Sequence, residues 1–114
     1  MKKIVLTLVV FLAFITPVFA NPPQKIIIKA NLADWTVDIM VIHPVENVDE
    51  HYVYQITLFK EGKRPVVIQS YLKQFNKNMQ RAIYILPSLI KGDKIQVIAT
   101  CNKFGEARAG VTVE

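Results

Sequence analysis

The sequence predicts an all-β protein, an immunoglobulin-like sandwich of seven antiparallel strands, for three reasons. Apolar side chains recur at every second position in several runs, which is the period of a half-buried strand and not that of a helix. The runs are rich in Val, Ile, Thr and aromatic residues, which fit a pleated surface. Turn residues separate them at the spacing of a two-sheet sandwich.

The runs fall at about 25–30, 35–42, 51–60, 64–72, 80–86, 94–101 and 107–113. In the second, Trp35, Val37, Ile39 and Val41 share one face and Thr36 and Asp38 the other, which makes Trp35 the largest side chain of the predicted core. In the third, Tyr52, Tyr54, Ile56 and Leu58 alternate with Gln55 and Thr57. In the sixth, Ile95, Val97, Ala99 and Cys101 oppose Lys94, Gln96 and Thr100. Glu61-Gly62-Lys63 joins two runs at hairpin spacing, Lys91-Gly92-Asp93 leads into the sixth and Phe104-Gly105 follows it. Glycine at such tips adopts the positive φ that a tight turn requires. Asn76-Lys77-Asn78 reads as a polar loop, and Pro87 closes the fifth run.

Ahead of this domain, Lys2 and Lys3 precede an apolar run from Ile4 to Ile15, broken by Thr16-Pro17 and followed by Val18-Phe19-Ala20. A short basic start, an apolar stretch and small residues before the break make a secretory signal peptide cleaved between Ala20 and Asn21. The run is shorter than the ~20 residues that span a bilayer as a helix. The expected organisation is therefore a signal at 1–20, a linker at 21–24 containing Pro22-Pro23, and one domain at 25–114, periplasmic or secreted. Loss of Lys2 and Lys3 lowers the net charge from +5 to +3. That charge is modest and dispersed, and it argues against a nucleic-acid partner.

The reactive side chains are few. Both histidines, His43 and His51, flank one loop, and the single cysteine, Cys101, ends the sixth run. Imidazole and thiolate together suit iron, zinc or copper, and Glu46, Asp49 and Glu50 lie nearby in sequence. Plainer readings exist for each residue. Cys101 continues an inward face and suits a buried small apolar role. His43-Pro44 is a way to stop a strand, since proline removes a backbone donor. His51 can be an exposed strand start. No Ser/His/Asp set and no phosphate-cradling loop is present, so no catalytic residue is assigned.

Two families share residues with this chain. The run Ile28-Lys29-Ala30-Asn31-Leu32, then Val41-Ile42-His43-Pro44-Val45-Glu46, His51-Tyr52-Val53, Gly62-Lys63 with Pro65-Val66, Asn76-Lys77-Asn78, Lys91-Gly92-Asp93 and the final Cys101–Glu106 turn resemble SoxZ. SoxZ is the scaffold subunit of the periplasmic sulfur-oxidation carrier. This resemblance implies a non-catalytic protein without a cofactor. It would bind a SoxY-like partner, as heterodimer or heterotetramer, which carries the sulfur substrate of thiosulfate oxidation on its own cysteine.

The chain also resembles superoxide reductases and the iron domain of desulfoferrodoxin at His43-Pro44, His51-Tyr52 and Cys101-Asn102-x-x-Gly105. That resemblance implies iron held by His43, His51 and Cys101. The family uses four imidazoles and an axial thiolate. Here Phe104 stands where one histidine is expected, and no further histidine exists. The complete set of that family therefore cannot form. The sequence reading takes the scaffold as its first function and the redox iron protein as its alternative.

Overall fold

A computed structural model describes residues 21–62 and 64–114. The signal expected at 1–20, and Lys63 at the hairpin tip, lie outside the described residues. Seven strands are present: β1 (Lys25–Asn31), β2 (Thr36–Ile42), β3 (Val53–Lys60), β4 (Pro65–Ser70), β5 (Met79–Ile85), β6 (Lys94–Cys101) and β7 (Glu106–Thr112). They form two antiparallel sheets, in the order β1-β2-β5 and β4-β3-β6-β7. Each agrees with a predicted run to within about two residues, the usual uncertainty of strand ends. No helix among the described residues is long and apolar enough to cross a membrane.

The core lies between the sheets and is built from alternate positions. Val37, Ile39 and Val41 of β2 face Ile56 and Leu58 of β3 and Ile95, Val97 and Ala99 of β6, all fully buried. A buried Leu or Ile contributes about 1.5–3 kcal/mol relative to an exposed one. A set this size supplies much of the driving force for a domain of one core.

Two expectations about side-chain direction do not hold. Trp35 is 49% exposed and is no part of the core. Its φ of 58° places it in the left-handed region, at the end of the β1–β2 turn. Its carbonyl accepts the Leu86 N–H at 2.7 Å there. A residue with that backbone leaves the strand's alternation, so Trp35 does not share the face of Val37.

In β3 the register shifts: Val53 pairs with Cys101 and Gln55 with Thr100, which leaves Tyr54 as an extra residue. Such a bulge reverses the alternation. Val53 is therefore buried and Tyr54 turns outward, while Ile56 and Leu58 keep their inward places. Tyr52 and Tyr54 do not belong to the inward face that simple alternation predicts.

Leu58→Ala is expected to cost about 2–5 kcal/mol of unfolding free energy, because a fully buried side chain leaves a cavity. Trp35→Ala should cost about 1 kcal/mol or less, as at other half-exposed sites. Urea unfolding of both variants checks this. A larger loss at Trp35 than at Leu58 would contradict the core described here.

Candidate metal centre

Topology brings three strand ends to one end of the sandwich. β2 finishes at Ile42, just before His43. The connection returns to start β3 at Val53, which lies opposite Cys101 at the close of β6. His43, His51 and Cys101, far apart in sequence, are thus placed together.

The connecting loop is closed by short-range bonds. The Glu50 and His51 N–H groups both donate to the Asn47 carbonyl, at 3.2 and 3.0 Å. Asn102 ties this loop to the β6–β7 turn. Its side-chain oxygen accepts the Tyr52 N–H at 2.9 Å, its amide nitrogen donates to the Glu50 carbonyl at 3.0 Å, and its backbone N–H donates to the Tyr52 carbonyl. The turn itself is held by the Cys101 N–H on the Gly105 carbonyl, at 3.0 Å.

One donor atom from each of His43, His51 and Cys101 lies within 4.8 Å of the others. His51 Nε2 is 3.2 Å from Cys101 Sγ, and the two imidazoles meet edge to face with centroids 4.7 Å apart. Donors bound to one ion at about 2.0–2.3 Å stand roughly 3–4.6 Å from one another, so a small closing of the widest pair would bring the trio into a single coordination sphere. Glu46, Asp49 and Glu50 do not join the cluster. Phe104 is exposed on the turn.

His43 is fully buried and its ring is fixed by Gln74. The Gln74 amide nitrogen donates to the His43 carbonyl at 2.7 Å and to the Asn76 carbonyl at 3.0 Å. Its oxygen therefore points the other way, accepting the Val53 N–H at 3.2 Å and His43 Nδ1–H at 2.7 Å. A singly protonated ring spends its one hydrogen on Gln74, which leaves the Nε2 lone pair for another partner. That lone pair faces the carbonyl oxygen of Asn21 at 2.8 Å. Two acceptors tolerate such a contact only with a proton or a metal ion between them.

His51 is held below the ordinary histidine range, first by burial and then by the neighbouring charges of His43 and Lys103, while a backbone hydrogen bond with Asn21 opposes them. The neutral imidazole is the form that binds a metal. Cys101 is buried, and its sulfur accepts the Lys103 N–H at 3.4 Å. N–H donation to sulfur is among the devices that tune a thiolate site.

The trio was legible in the sequence as the only histidines and the only cysteine. Gln74, Asn102 and Asn21 were not. An uncharged amide in a loop resembles many solvated amides: burial distinguishes Gln74, while the exposed Asn102 is distinguished only by its bonds across to the loop and Asn21 takes part through its backbone carbonyl.

The fold has a known counterpart. A solved structure of superoxide reductase in the oxidised state matches with a TM-score of 0.57, over 87% of this chain and 94% of that one, at 19% identity. At that identity the likeness establishes a shared fold. No protein-family profile matches the chain, and no curated protein matches it.

Gln74→Leu is expected to lower stability by on the order of 1–3 kcal/mol for each buried group left without a partner. Thermal or urea unfolding measures it. Gln74→Glu, which keeps an acceptor for His43 and Val53, should retain the His43 ring position in NMR spectra. A neutral effect of Gln74→Leu would show that the amide does not hold the site.

Proposed function

We propose that this chain is an exported mononuclear metal protein, with iron as the first candidate. His43 Nε2, His51 Nε2 and Cys101 Sγ are its side-chain ligands, and its chemistry is redox chemistry on a small anionic oxidant such as superoxide. The observation that carries this is the convergence of the chain's only imidazoles and only thiol within 4.8 Å. The shared fold with superoxide reductase adds support. The signal-like layout of residues 1–20 supports export.

Iron, when bound, supplies one-electron exchange. The protein groups do the rest. Gln74 holds the His43 ring in the tautomer that offers Nε2. Cys101 adds negative charge and softness as a thiolate, moderated by the Lys103 N–H. The Lys103 ammonium, felt at His51, gives the approach a positive charge that favours an anion. Three protein ligands leave coordination positions for a reactant, the mark of a reactive site and not a closed structural one.

The SoxZ-type scaffold remains the second reading. It is favoured by the edge strand β4, where Val66 and Ile68 are exposed and an apolar edge suits addition of a partner's strand. It has no such convergence of unusual residues behind it. A SoxY-like partner and a role in sulfur oxidation belong to that reading alone.

Native mass spectrometry of the protein purified from its source separates the two. The metal reading expects one metal ion per chain, and the scaffold reading expects a stable second subunit. With ferrous iron added without air and then oxidised, the protein should show a visible sulfur-to-iron charge-transfer band. Cys101→Ser should abolish the band, and Gln74→Leu should weaken affinity about 10–100-fold, as loss of a ligand's hydrogen-bond partner does elsewhere. Absence of stoichiometric uptake by the unaltered protein would overturn the metal reading.

A further inference from the structure

Asn21 is held at the mouth of this cluster. Its carbonyl oxygen lies 2.8 Å from His43 Nε2. The residues that follow fix that position. Pro22 packs so closely on Gly105 that a side chain there would place its Cβ 2.7 Å from the Pro22 Cβ. Gly105 also has a φ of 76°, which suits glycine on independent grounds. Pro23 is buried, and the Gln24 N–H donates to the Ile42 carbonyl at 2.9 Å. The anchors are the turn that follows Cys101 and the residue that precedes His43, so the segment is fastened to the same elements that carry the ligands.

A separation of 2.8 Å between carbonyl oxygen and imidazole nitrogen is near that of two neighbouring ligands on one ion, about 3.0 Å for donors at ~2.1 Å and a right angle. Asn21 is also the residue that the sequence places first after signal removal. We propose that hydrolysis of the Ala20–Asn21 bond turns Asn21 into a bidentate ligand, its α-amino nitrogen and carbonyl oxygen completing the site of His43, His51 and Cys101. This rests on the metal reading above.

The chemistry of the step is simple. A signal peptidase adds one water across the peptide bond. Ala20 leaves as a carboxylate, and the Asn21 nitrogen gains hydrogen to become a free amine. Before cleavage that nitrogen's lone pair is delocalised into the amide and is a poor donor. Afterwards it is localised, and with the carbonyl oxygen of the same residue it closes a five-membered chelate ring. Three side-chain donors and this pair would make five. The chelate replaces, in number though not in kind, the imidazoles that this chain lacks. It also ties metal loading to export, since the uncleaved precursor cannot offer the amine.

The test compares two forms of residues 21–114, which contain all seven strands and the core. One begins at Asn21 with a free amine. The other carries Met-Ala ahead of Asn21 through an ordinary peptide bond. Circular dichroism and melting confirm that both are folded. Cobalt(II), a probe of known spectrum, is titrated into each. The free-amine form should bind at least about tenfold tighter, since losing a donor costs no less than the roughly 10–100-fold lost with a ligand's hydrogen-bond partner. Cobalt should also protect the Asn21 α-amine from acylation by a succinimidyl ester, read by peptide mass mapping. Equal affinity, or an unprotected amine, overturns the Asn21 chelate while leaving the metal site in place. If neither form binds cobalt, the metal reading falls and the chelate falls with it.

Discussion

The side-chain amide of Gln74 joins the parts of this molecule that matter most. It is almost fully buried and makes four hydrogen bonds to three separate stretches of chain. Two run from its nitrogen to the His43 and Asn76 carbonyls, and two reach its oxygen from Val53 and the His43 ring. Those stretches are the end of β2, the start of β3 and the loop before β5, so the amide fastens one sheet to the other at the site's end of the sandwich. Gln80 completes the arrangement, donating to the Val53 carbonyl at 3.2 Å. Val53 thus has both its N–H and its carbonyl claimed by buried glutamines. The cost of leaving any of these groups unpaired in the interior makes the network cooperative and its geometry definite.

That rigidity is what gives the His43 ring a defined direction. A histidine at a strand end is otherwise free to turn to solvent. With Nδ1–H committed to Gln74, the other nitrogen points toward the Asn21 carbonyl. The bulge at Tyr54 belongs to the same device. It restores the inward direction of Val53 opposite Cys101, which keeps the start of β3 against the end of β6 and His51 beside the sulfur. Asn102 then spans the loop and the turn, so the His51–Cys101 approach does not depend on the pair's own attraction.

The site differs in kind from one built of four imidazoles and a thiolate, because this chain has two histidines in all. It holds one sulfur beside two imidazoles, with Cys101 and His43 buried and His51 partly buried. The likeness to superoxide reductase is one of fold alone. Which atoms stand at the strand ends is decided by local sequence, and at the turn after β6 Phe104 faces solvent.

The amino-acid sequence by itself determined the fold class, the seven strands and most of the core, because alternation and turn chemistry are local properties that neighbouring residues reveal. It also determined which side chains could take part in metal chemistry, since two histidines and one cysteine leave little choice. It misplaced Trp35, Tyr52 and Tyr54. One left-handed residue and one bulge each reverse alternation without changing residue composition. Tertiary structure alone decided that His43, His51 and Cys101 meet, that Gln74 orients one of them and that Asn21 reaches the same point. These contacts join positions far apart along the chain, and their register follows from how two sheets stack and where three strands end, which no local pattern records.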